Sequence, residues 1–112
     1  MKYNSTSVGG NVEILAADDF KAVPITLAES ESTYMAGTPL TIGGEAALDG
    51  TDAVGILLYD ADASVNPNAA MVVEGIVDYK KIVAHASVTA TAADLHTAIP
   101  AIFFRENIGV NE

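Results

Sequence analysis

Few residues in this chain are placed to do chemistry. Asp60, Asp62 and Ser64 have the spacing of the first three ligands of a calcium loop. The pattern then fails, because Val65 stands where a glycine must bend the loop and Met71 where a bidentate glutamate must close it. A solvated loop explains the segment, with at most a weak cation site between Asp60 and Asp62. Hydrolysis needs a nucleophile beside a general base that a third group holds in place. His85 and His96 are the two histidines, and neither lies in such a motif. His85 alternates with Val83 and Ser87 on one face of an expected strand, and His96 lies on an expected helix opposite Leu95 and Ile99. Carboxylate pairs can be drawn anywhere among 15 acidic residues, so they carry no weight. No glycine pattern forms a phosphate cradle, Lys80-Lys81 lacks the hairpin of a biotin or lipoate carrier, and cysteine is absent. The expectation is a protein that is not an enzyme, with no catalytic residue, metal or cofactor.

Its surface is set by charge. Fifteen acidic and five basic residues give a net charge of -10, which repels nucleic-acid phosphates and anionic lipid. No nucleic-acid or membrane partner is expected. The opening MKYNSTSVGG is polar where a secretory signal needs an apolar run, and no apolar stretch reaches a membrane span. A soluble protein made in a cytoplasm is the expectation, which makes the Asn4-Ser5-Thr6 glycosylation pattern fortuitous.

The elements that must position these residues follow from periodicity. Residues 1–11 form a polar arm with Gly9-Gly10 as a hinge, and residues 12–112 form one domain. From Val12 onward, short runs rich in Val, Ile, Thr and Tyr alternate with turn residues: VEIL, AVPITL, TYMAGTPLTI, EAAL, AVGILLY, AAMVVEGIVDY and KIVAHASVTA. The fold class is mainly β. Gly43-Gly44 is expected to be a two-residue hairpin connection between LTI and EAAL, and Asp49-Gly50-Thr51-Asp52 a second turn. One helix is expected, capped by Thr91, with Asp94 in its first turn, Leu95, Ala98 and Ile99 on one face, and Pro100 as its stop. A closing strand follows from Ala101 to Arg105, where only one of Phe103 and Phe104 can face the core.

Thr38-Pro39-Leu40, followed by Asp49-Gly50-Thr51 and by Ala53, Val54, Gly55, Ile56 and Leu57 with Ala61-Asp62 beyond, resembles the head decoration proteins of tailed bacteriophages, the family typified by the phage lambda protein D. The element order agrees: a VVEGIVDYKKI strand, a short helix, then a terminal strand. The stretch from Asp18 to Met35 and the loop from Ser64 to Asn68 have no counterpart in the pattern. The resemblance implies a small barrel-like β-tulip fold with one short C-terminal helix and an extended N-terminal arm. It also implies a non-enzymatic cement protein on the outer surface of the virion. Its partner would be the major capsid protein of an expanded head, where copies bind as homotrimers or as monomers and stabilise the shell against DNA pressure. Such a protein is made in the cytoplasm of the bacterial host.

Within that reading, Val8, Gly9, Gly10, Val12, Glu13, Ile14 and Leu15 are the capsid-contact candidates. They are expected to be disordered in solution and to order on the shell, with VEIL adding to a capsid strand. Thr38, Pro39, Leu40, Asp49, Gly50, Thr51, Val54, Gly55, Ile56 and Leu57 are expected to be structural. The alternatives are a displayed binding module or head-fibre base recognising a host surface or glycan, and a small hydrolase built on His85 or His96.

Overall fold

The computed structural model describes residues 14–16, 20–28 and 33–106. Its organising element is a single long strand, β6 (Asn68–Asp78), fed by the apolar run Ala69 to Val73. Along that run side chains alternate between two cores: Ala70 and Val72 point to one, and Ala69, Met71 and Val73 to the other. β1 (Lys21–Thr26) pairs antiparallel along one side of the first half of β6. β4 (Ala53–Leu57) pairs on its other side and carries β3 (Pro39–Thr41) at the margin. The second half of β6 holds β7 (Ile102–Arg105) in parallel register, and it meets the chain again at the Leu15–Val77 bridge. Gly75, at φ 143°, lies between the halves. That conformation favours glycine and changes the phase of the strand, so Val72 and Val77, five residues apart, reach the same core.

Two layers cover this sheet. On one face Ile56, Val72, Val77 and Ile102 pack with Ile82 of α1 (Tyr79–Ala86) and Leu95 of α2 (Ala92–Ala98). On the other, Leu40, Leu57 and Met71 are covered by the ribbon of β2 (Thr33–Tyr34) and β5 (Ala61–Asp62), through Tyr34 and Ala63. The domain is mainly β, as the residue pattern indicates. β1 and β3 terminate the sheet order β1-β6-β4-β3, so the strands do not close into a barrel. Pro24 sits in β1, an edge strand, where a missing donor is tolerated.

The structure corrects four expectations. Residues 79–86 are helical and not a strand, so the domain has two helices. Asp78 starts α1 by accepting from Lys81 N–H at 3.2 Å, and Ser87 ends it at φ 60°. Ile82 and Ala86, four apart, bury one helical face. The turn after β3 is a three-residue loop: Thr41 N–H donates to Glu45 O at 2.9 Å, and only Gly44 of the glycine pair takes positive φ (84°). EAAL contributes a single bridge, Ala46 to Leu40, and no strand. Finally, Ile14 is fully buried in the core. Its carbonyl accepts from Asp78 N–H at 2.7 Å, and Ala16 N–H donates to Ile76 O at 2.8 Å. Ile14 and Leu15 are thus part of this chain's own sheet and are not available for addition to another.

α2 begins as the sequence indicates, with the Thr91 hydroxyl accepting from Asp94 N–H at 3.1 Å. Leu95 and Ile99 are buried. In β7, Ile102 is buried and Phe104 packs against the core, while Phe103 is 59% exposed.

Candidate functional site

The residues from Thr38 to Leu57 form one structural unit, the β3–β4 hairpin. Thr38 closes the turn before it, its hydroxyl donating to Met35 O at 2.6 Å. Pro39 and Leu40 lie opposite Ile56 and Gly55. Leu40, Ile56 and Leu57 are fully buried, and Val54 is half-buried at the bulge where the register shifts. Gly55 is required by packing. A Cβ there would lie 2.3 Å from Met71 Cγ and 2.7 Å from Val72 O, inside the space β6 occupies. The connecting turn is fixed by Gly50, whose N–H donates to Ala47 O at 2.8 Å, and by Asp49, whose Oδ1 accepts from Thr51 N–H at 3.0 Å. Those bonds from Thr51, its backbone N–H first and its hydroxyl next, hold the Asp49 carboxyl below its ordinary range. Leu40, Gly55, Ile56 and Leu57 pack within the frame, and Asp49, Gly50 and Thr51 shape its exposed turn.

The structure does bring one histidine to a carboxylate. His85 Nε2 lies 2.8 Å from Asp60 Oδ1, with 18% and 27% of the two side chains exposed. The same Oδ1 accepts from Ala36 N–H at 2.7 Å. The pair joins the last turn of α1 to the turn before β3. His96 is occupied differently: its Nδ1 donates to Ile102 O at 2.8 Å, and its ring stacks on Phe103 with centroids 4.9 Å apart.

Asp60 and Asp62 make separate hydrogen bonds. Asp60 serves α1 and Ala36, whereas Asp62 Oδ1 accepts from Ser64 N–H at 3.0 Å and from its hydroxyl. Among the described residues no group of three or more acidic or histidine side chains is gathered as a metal centre. No helix among them is long and apolar enough to cross a membrane.

The chain matches no protein-family model and no curated protein. Function must therefore be read from its own surface. Of the capsid-contact candidates, Val8, Gly9, Gly10, Val12 and Glu13 lie outside the described residues, as does the whole arm, while Ile14 and Leu15 belong to the sheet. Ile42 and Gly43 border two open depressions of about 720 and 520 Å³. Neither is lined by His85, His96 or Asp60.

Sequence reasoning missed two features. The His85–Asp60 contact spans 25 residues and has no local signature. The second feature is the exposure of Ile42 and Val65 at turn tips, for which the one signal is an apolar residue standing among turn formers in Thr41-Ile42-Gly43-Gly44.

Proposed function

We propose that this protein decorates a phage capsid, binding the outer surface of the expanded icosahedral head through the major capsid protein and stabilising the shell. The observation that carries the reading is the unity of the β3–β4 hairpin. The residues that resemble the decoration family run over 25 positions of sequence, and in the fold Thr38 to Leu57 make one hairpin whose strand residues Leu40, Ile56 and Leu57 are buried. Gly55 has a packing reason and Gly50 a turn reason, which supports reading these residues as structural. That reading supports a protein whose work is done by its surface. The -10 charge fits, since it keeps free copies apart until a shell presents its sites. Ligands that bind only the mature shell stabilise it by mass action, and many identical sites multiply a modest affinity per copy.

Co-sedimentation tests this directly. Purified protein is mixed with expanded heads lacking it, and with unexpanded procapsids as the control. Saturable binding to expanded heads alone is expected, and copies bound per shell would separate trimeric from monomeric occupancy. Absence of binding to heads of the cognate phage would overturn the proposal and turn attention to glycan and cell-surface ligands.

A further inference from the structure

Asp49 is the one aspartate or asparagine of the chain that precedes a glycine. That linkage is chemically weak. The peptide nitrogen after an aspartate can attack the side-chain carboxyl carbon, and glycine, with no Cβ to crowd the approach, permits it most readily. The Gly50 nitrogen would give up its proton and bond to Asp49 Cγ, water would leave from the carboxyl group, and a succinimide ring would close. Water then opens the ring at either carbonyl. Opening at Cγ restores aspartate; opening at the main-chain carbonyl routes the chain through the side chain as isoaspartate, with no net change of mass or oxidation state.

In the fold both reacting groups are committed elsewhere. Gly50 is buried at φ 84°, and its N–H donates to Ala47 O at 2.8 Å. Asp49 is exposed, but Oδ1 reaches past Gly50 to accept from Thr51 N–H at 3.0 Å. The bonds from Thr51 also favour the carboxylate, the form from which water leaves least readily. The turn is clamped from outside as well. Leu48 O accepts from Thr89 N–H at 2.9 Å, from the Thr89 hydroxyl at 3.1 Å and from Ala90 N–H at 3.1 Å. Gly50 seats against Ala90 and Leu95, where a Cβ would stand 3.3 Å from Ala90 Cβ and 3.4 Å from Leu95 Cδ2. Ring closure needs the nitrogen and the carboxyl carbon brought face to face, so these bonds must first break.

We infer that the Asp49-Gly50 linkage is a site of spontaneous backbone isomerisation that the folded turn holds shut. It is open to attack before the chain folds and whenever the turn opens locally. Isoaspartate adds a carbon to the main chain between Leu48 and Gly50. The turn then cannot keep Leu48 O on residues 89 and 90 while Gly50 N–H reaches Ala47 O, and a chain that isomerises first does not regain the native hairpin.

The test uses the full chain, incubated at neutral pH in water enriched in heavy oxygen, either folded in buffer or unfolded in urea. Each ring opening leaves a heavy oxygen atom on residue 49, which fragmentation mass spectrometry locates, and an isoaspartyl methyltransferase counts the rearranged product. Labelling at residue 49 should be roughly tenfold or more faster in the unfolded chain, because attack in the folded one waits on local opening. Asp49→Ser has no carboxyl carbon to attack and should lose the signal in urea, where its ability to fold does not matter. After dilution from urea, the isomer should collect in the fraction that fails to refold. Equal labelling of folded and unfolded chains overturns the hold assigned to the turn. Absence of label at residue 49 in urea, or undiminished isoaspartate in Asp49→Ser, overturns the site. An equal share of isomer in the refolded fraction overturns the dependence of the hairpin on this linkage.

Discussion

Gly55 shows how a single absent side chain sets the strand spacing of the core. The atoms that a Cβ would strike include backbone, Val72 O, as well as the Met71 side chain, so relief requires β6 to move. Gly55→Ala should therefore destabilise by about 1–3 kcal/mol. The check is a lower urea midpoint with an unchanged slope. Gly44→Ala should cost more. Its Cβ would fall 2.0 Å from Thr26 O, and its φ of 84° is disfavoured for L-residues. At Asp49 the expectation concerns pH. The bonds from Thr51 lower the folded-state pKa beneath the ordinary 3.8, so the folded chain binds this proton less readily than the unfolded one. Its contribution to stability is present above about pH 3.8 and is lost as pH falls through the lower folded value. NMR titration of the Asp49 carboxyl should give a midpoint below 3.8, moved upward by Thr51→Ala; a midpoint at or above that value in the parent would contradict the geometry.

At the scale of elements, α1 is held by contacts that its own residues do not announce. Alternation in Ile82-Val83-Ala84-His85-Ala86 suits a strand as well as a helix, because a short apolar run has no decisive period. What decides is Asp78 at the N-cap, Ser87 in the left-handed region at the C-cap, and a core that accepts Ile82 and Ala86 together. Tyr79 adds a tie by donating its hydroxyl hydrogen to Ala90 O in the connection to α2. Asp78→Ala should cost about 0.5–2 kcal/mol. The His85–Asp60 contact closes the other end of α1, and its two members should not be equivalent. Asp60→Ala also strands Ala36 N–H, a loss of about 1–3 kcal/mol. His85→Ala leaves that donor paired and should cost less. A double-mutant cycle by urea unfolding measures the coupling, and equal single losses would show that the Ala36 bond contributes nothing. α2 was legible because Thr91, Asp94 and Pro100 are local signals acting within one turn of the helix ends.

At the scale of the molecule, the sequence by itself determined the class of the fold. Its β-branched runs and turn residues mark β1, β4, β6 and β7, and the acidity marks a surface that repels polyanions. The strands β3 and β4 were legible singly but their pairing was not, because Gly43-Gly44 points to a hairpin between LTI and EAAL, whereas β3 pairs β4 across residues 42–52. Only the tertiary structure decided what happens to Ile14. As part of VEIL it is indistinguishable from any edge strand seeking a partner; in the fold it fills the core beside Val77 and Ile82. Ile14→Ala should cost about 2–5 kcal/mol in urea unfolding, and a change near zero would contradict its place in the core. The tertiary structure also decided that Gly75, at φ 143°, stands between the half of β6 that pairs β1 and β4 and the half that pairs β7. The physical reason is shared: periodicity and turn chemistry act between neighbours in the chain, whereas the pairing of residues 14–16 with β6, of His85 with Asp60 and of Ala28 with Gly44 is set by packing between residues 16 to 64 positions apart.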